Sequence, residues 1–127
     1  MLVEKDITVY SFCEHHFLPI SGRAHVAYIS NGEVIGLSKI NRIVDYYAKR
    51  PQVQERLTMQ IVDALKEALG TIDVACIIDA KHLCVNCRGI KDTASSTITA
   101  ELSGLFRNNP ITRQEFLHYV GSHAKID

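Results

Sequence analysis

The sequence has no excess of charge of one sign and few aromatic residues. Lys plus Arg and Asp plus Glu each number 14 among 127 residues, so the formal net charge at pH 7 is zero, and aromatic residues make up 7%. Nucleic-acid-binding domains usually carry a basic patch or stripe. The composition therefore argues against a nucleic-acid partner, and any bound anion must be held by a local site.

Long apolar runs are also absent, and no secretory leader is expected. No stretch reaches the roughly 18 apolar residues that a membrane span needs, and the chain becomes charged already at Glu4, which is unlike a signal peptide. We expect a cytoplasmic protein without membrane contact. In that compartment its cysteines are expected to stay reduced, which favours metal binding over disulfides. The cysteines are Cys13, Cys76, Cys84 and Cys87.

No linker, repeat or low-complexity tract interrupts the chain, which predicts a single domain over residues 1–127. Residues 7–12 and 24–29 are rich in β-branched and aromatic side chains, as strands are. The dipeptide Asn31-Gly32 then supplies a strong hairpin-turn signal ahead of Val34 and Ile35. We expect an antiparallel hairpin here.

Two helices are predicted in the middle of the chain. Ser38 is a suitable N-cap for an apolar three-and-four repeat that runs from Ile40 and ends before Pro51. A second apolar stripe begins at Val53, and Gly70 is suited to end its helix. Strand patterns return over residues 74–83 and 95–102, and a short last helix is expected after Asn109 and Pro110.

The order of these elements predicts an α+β fold. It is an antiparallel four-stranded sheet with two helices packed on one face (ββααββ) and a short C-terminal helix. So small a sheet leaves edges and one face uncovered. Packing against copies of itself would cover them, so we expect a symmetric homo-oligomer.

A cluster of thiols and imidazoles predicts a metal site. Cys13 and His16 lie three residues apart, and strand alternation would place His82 beside Cys84. Two thiolates and one imidazole favour Zn²⁺, and three protein ligands leave a position for water. Cys87 could instead complete a closed structural site, and the spacing alone does not decide between the two. Cys76 is interpreted as a buried apolar residue, and His25 as a packed or solvated histidine and not as a ligand.

Four motifs together resemble the GTP cyclohydrolase I family, over residues from about Ile7 to Phe106. They are Cys13-Glu14-His15-His16, Gly36-Leu37-Ser38-Lys39, Gln52-Val53-Gln54-Glu55-Arg56-Leu57-Thr58, and His82-Leu83-Cys84 followed by Arg88-Gly89. The resemblance implies a tunnelling fold, pentameric rings that pair into a decamer, and active sites at subunit interfaces. It implies zinc ligation by Cys13, His16 and Cys84, with His15 and His82 as catalytic histidines.

The implied reaction is hydrolysis of GTP at the imidazole carbon of the purine, which yields formate and dihydroneopterin triphosphate for folate or pterin synthesis. Glu55 would accept hydrogen bonds from guanine, with Gln54 nearby. The start of the first helix, with Ser38 and Lys39, suits phosphate. Arg42 and Arg88 are the other candidate phosphate ligands.

Two further functions stay open at this point. The chain could be a non-catalytic zinc-binding module or regulatory subunit of the same fold, or another tunnelling-fold enzyme of deazapurine metabolism, such as a nitrile reductase. The Cys13–His16 pair argues against the reductase, which needs no zinc. Family members carry a helical region before the first strand, and this sequence starts just before that strand. We therefore expect this chain to bind the triphosphate more weakly than a chain that carries the helical region.

Overall fold

The computed structural model describes residues 1–83 and 94–124. Its elements in chain order are β1 Leu2–Cys13, β2 Pro19–Tyr28, α1 Leu37–Ala48, β3 Pro51–Gln52, α2 Gln54–Leu69, β4 Val74–His82, β5 Thr97–Leu102, α3 Leu105–Asn108 and α4 Pro110–Ala124. The strands form a sheet in the order β3-β1-β2-β4-β5. Strand β3 runs parallel to β1, and the other neighbours are antiparallel. The α+β class is confirmed, but the sheet is mixed and five-stranded rather than four-stranded and antiparallel.

The predicted hairpin at Asn31-Gly32 is wrong in its position. Strands β1 and β2 pair antiparallel across the turn at residues 14–18, and residues 33–36 are not in a strand. Both edges of β2 are already occupied, by β1 and β4. Val34 is 78% exposed, and the Asn31 side chain donates to Gly70 O at 3.1 Å. The segment with Asn31-Gly32 thus connects β2 to α1 and does not begin a new strand.

The two central helices cover one face of the sheet, as predicted. Alternation along β4 turns Val74, Cys76 and Ile78 toward this face, where they join the main apolar core. Helix α1 contributes Ile40 and Val44 to the same core. Helix α2 adds Leu57, Ile61 and Leu65, among others.

A second, smaller core lies on the opposite face. Ala75 and Ile77 of β4 pack there with Phe106 of α3 and Phe116 of α4. The predicted short C-terminal helix is therefore longer than expected, because α4 has 15 residues and covers part of this face. Among the described residues, no helix is long and apolar enough to cross a membrane.

Helix ends follow the predicted chemistry at two of three positions. Gly70 adopts φ 63° at the end of α2, the left-handed conformation that glycine tolerates. Asn109 Oδ1 accepts from Ile111 N at 2.9 Å and caps α4. The prediction for Ser38 is wrong: α1 begins at Leu37, after Gly36 as N-cap, and has no side-chain cap hydrogen bond.

Candidate active site

The turn after β1 brings the first two predicted metal ligands together. Cys13 N donates to Leu18 O at 2.9 Å, and Phe17 N donates to Cys13 O at 2.7 Å. This single tight turn places Cys13 Sγ 3.9 Å from His16 Nδ1. Sulfur and nitrogen bound to one tetrahedral zinc would lie about 3.6 Å apart. The pair is therefore spaced to share one ion after a small adjustment.

The third predicted ligand, Cys84, lies outside the described residues, as do Cys87 and Arg88. Within residues 1–83 and 94–124, no three potential metal-binding side chains come together. Strand β4 ends at His82, and Leu83 is already helical. The prediction that His82 and Cys84 lie on one face of a strand therefore stays a prediction.

A polar network on β3 and α2 holds the Cys13–His16 turn, and no pattern in the sequence predicted it. Glu14 N donates to Gln52 O at 3.0 Å, and the Glu14 carboxylate accepts from the Arg56 guanidinium at 2.5 Å. Arg56 Nε also donates to Gln52 Oε1 at 3.2 Å. The hydrogen bond from Arg56 lowers the pKa of Glu14. The turn is thereby tied to the start of α2.

His82 lies at the same end of the sheet. Its partner in the β2–β4 register is Ile20, which follows the Cys13–His16 turn directly. The parallel pairing of Cys13 with Gln52 brings the start of α2 to this end as well. His82 Nε2 is 2.6 Å from Oε1 of Gln54, the first residue of α2. The turn after β1, the end of β4 and the start of α2 thus meet at one end of the sheet, where they place His82 near the Cys13–His16 pair.

Gln54 is 1% exposed, although the sequence predicted contact with guanine. Its Nε2 donates to Ile78 O at 3.1 Å, to Thr97 O at 2.9 Å and to Thr99 Oγ1 at 3.1 Å. These contacts favour a role in orienting His82 over direct contact with a base.

Glu55, the next residue along α2, is exposed at the start of the helix. Its carboxylate interacts electrostatically with the imidazole of His82. Burial lowers the pKa of His82, and the nearby Glu55 carboxylate acts in the opposite direction. A partly desolvated imidazole beside an exposed carboxylate is an arrangement that can move protons at a bound ligand. The electrostatic interaction thus links two of the predicted site residues, Glu55 and His82.

The predicted phosphate-binding residues form a separate group on α1. Ser38, Lys39 and Arg42 are exposed on its first turns. Lys39 and Arg42 also line a groove of about 590 Å³ between α1 and α2, beside Tyr46 and Glu67. Their side chains are accessible to an anionic ligand.

Two further residues, His25 and Cys76, lie in structural positions. His25 is buried, and its Nδ1 accepts from Asp6 N at 3.1 Å. Cys76 is fully buried in the main core, where burial raises the pKa of its thiol to about 12. The interpretation of Cys76 as a packed residue is confirmed, and of the two alternatives for His25, packed or solvated, the structure shows the packed one. His15, predicted to be catalytic, is exposed on the turn beside His16.

Comparison with known proteins gives concordant results. The family model described as GTP cyclohydrolase I matches residues 1–121. GTP cyclohydrolase 1 of Flavobacterium johnsoniae is 75% identical over 120 residues, which are 94% of this chain and 53% of that protein. The Citrobacter koseri protein of the same name is 58% identical over 123 residues, 97% of this chain and 55% of its own length. The chain thus spans about half the length of the curated relatives it matches.

A solved structure supports the fold. The apo form of the archaeosine synthase QueF-Like superposes with a TM-score of 0.66 and 20% identity, covering 81% of this chain and 92% of that one. At this identity the likeness concerns the fold alone. It shows that the sheet and helices of this chain form a known architecture.

Proposed function

The chain belongs to the GTP cyclohydrolase I family, and from this premise we propose that it hydrolyses GTP at the imidazole carbon of the purine. Formate leaves, and dihydroneopterin triphosphate is formed for folate or pterin synthesis. The observation that carries the proposal is the convergence of the Cys13–His16 pair and His82 at one end of the sheet. Residues 1–127 are proposed to form one catalytic domain that works in the cytoplasm.

The donor atoms of the turn fit zinc. A cysteine sulfur and an imidazole nitrogen are ligands that zinc prefers, and their separation of 3.9 Å is close to that of two ligands of one zinc ion. We propose Cys13, His16 and Cys84 as the ligands, with Cys87 unligated. When bound, zinc supplies Lewis-acid activation of water near neutral pH.

The chain's own side chains then have distinct tasks. His82, partly buried and held by Gln54, transfers protons at the purine, and the exposed His15 is the second proton-transfer group. The Glu55 carboxylate accepts hydrogen bonds from N1–H and the 2-amino group of guanine, a pair of donors that adenine does not offer. Exposed Ser38, Lys39 and Arg42 on α1 bind the triphosphate together with Arg88.

Assembly is proposed to complete the site. Lys39 and Arg42 of α1 lie beside Glu67, near the end of α2, whereas His82 contacts Gln54 at the start of α2. Large apolar side chains stay exposed on β1 and β5, including Tyr10 at 57% and Ile98 at 65%. Burying such surface between copies would form a homo-oligomer. We propose pentameric rings that pair into a decamer, with sites between subunits.

Turnover of GTP in the presence and absence of a zinc chelator tests the proposal. We expect zinc-dependent formation of formate and of a pterin that fluoresces after oxidation, with ATP a very poor substrate. Cys84→Ser should lose zinc, while Cys87→Ser should keep it. Equal zinc loss in both variants would indicate a closed structural site, and zinc binding without turnover would indicate a non-catalytic module.

A further inference from the structure

The surroundings of the Gln54 side chain fix which way its amide group points. Its Nε2 lies 3.1 Å from Ile78 O and 2.9 Å from Thr97 O. Backbone carbonyls only accept hydrogen bonds, so the amide nitrogen must face them. The amide oxygen therefore points the other way, toward His82.

A pair of threonines gives independent support for this orientation. Thr58 Oγ1 donates its only hydrogen to Gln54 O at 2.9 Å. In its 2.6 Å contact with Thr99 Oγ1, Thr58 must then be the acceptor and Thr99 the donor. With its own hydrogen committed, Thr99 Oγ1 can only accept from Gln54 Nε2, 3.1 Å away. All three partners of this nitrogen are thus acceptors.

The orientation of the Gln54 amide determines which ring nitrogen of His82 carries the hydrogen. Gln54 Oε1 is 2.6 Å from His82 Nε2, and an amide oxygen has no hydrogen to donate. Nε2 must therefore carry one. A neutral imidazole has a single N–H, which leaves Nδ1 with its lone pair free.

We propose that Gln54 is a positioning residue that holds His82 in the Nε2–H tautomer and makes Nδ1 the atom that exchanges a proton with the substrate. The inference rests on the proposed function for its catalytic consequence, and on the described hydrogen bonds for the tautomer. It differs from direct recognition of guanine by Gln54. A positioning residue acts on kcat, whereas a base contact that is equal in ground and transition states acts on KM.

The tautomer can be measured on the zinc-loaded parent protein. With ¹⁵N-labelled histidine, NMR separates protonated from unprotonated ring nitrogens, and the signals of His82 are those that disappear in His82→Asn. We expect the neutral ring to show a protonated Nε2 and an unprotonated Nδ1. The reverse assignment would overturn the proposal whether or not the protein turns over GTP.

Gln54→Met tests whether Gln54 fixes the tautomer of His82 and thereby supports turnover. We expect both tautomers of His82 to be populated and kcat for GTP to fall by about tenfold or more, with KM changed by less than about threefold. Gln52→Met is the control for the loss of a buried amide, because Gln52 is also 1% exposed but donates to Tyr47 O and Gln60. It also loses the bond from Arg56, so the ¹⁵N pattern and not turnover is its readout. It should leave the ¹⁵N pattern of His82 unchanged.

A raised KM with kcat retained in Gln54→Met would show a base contact and contradict the positioning role. An unchanged ¹⁵N pattern in that variant would also contradict it. If the parent releases no formate from GTP, the proposed function fails, while the tautomer of the parent still decides the hydrogen-bond argument. The two failures are therefore distinguishable.

Discussion

Replacing Gly22 by alanine should disturb the sheet beside the candidate site. Gly22 lies in β2, paired with Val9 on one side and Ala80 on the other. A Cβ at this position would meet Asp79 O at 2.1 Å and Ala80 Cα at 2.5 Å. These are backbone atoms, so β4 itself must move to make room.

The expected cost follows from overpacking. Forcing a methyl group into a packed interior typically costs about 1–3 kcal/mol, and a contact this short with backbone favours the upper end. His82 lies two residues beyond Ala80 on β4, so displacement of the strand should also move the histidine. We expect lower stability and lower turnover of GTP together.

Urea unfolding at a fixed chain concentration measures the effect, since assembly makes stability depend on concentration. With typical m values, the midpoint should fall by about 1 M. Gly121→Ala is the matched control: a Cβ there meets nothing within 4 Å, and alanine in a helix is favoured by about 0.8–1.0 kcal/mol. Equal midpoints for Gly22→Ala and the parent would refute the packing argument.

Three further predictions follow from the site and the core. Glu55→Gln should weaken the use of GTP much more than it changes the unfolding midpoint, because Glu55 is exposed; comparable losses in both would contradict its role in recognition. Arg56→Ala, which removes the bond to Glu14, should weaken zinc binding by about tenfold in competition with a chelator, whereas Lys49→Ala, which removes another exposed ion pair, should not. Cys76, with its thiol pKa raised to about 12, should resist thiol reagents at pH 8 until the protein unfolds; rapid labelling of the native protein would show that it is accessible.

Patterns that repeat along several turns were sufficient to predict the helices. The spacing of Ile40 and Val44, and of Leu57 and Ile61, marks faces that the structure buries against the sheet. Strand β3 could not be predicted in this way, because two residues carry no periodicity. It exists through its pairing with the end of β1, a tertiary interaction.

The candidate site shows the same division. The pair Cys13 and His16 is visible in the sequence because both lie on one turn, and the structure brings them within 3.9 Å. The partners of Gln54 are 24 to 45 residues away along the chain, on strands β4 and β5. Local patterns hold no information on such contacts, so the sequence predicted the residue but not its partners.

The most direct test of the central claim is the fate of one carbon atom. GTP labelled with ¹³C at the imidazole carbon of the purine is incubated with the zinc-loaded protein, and the products are followed by NMR. We predict that the label appears in formate, with one labelled formate for each pterin formed, and that His82→Ala abolishes both. Label retained in the nucleotide product, or no labelled formate from zinc-loaded protein, would contradict the proposed reaction.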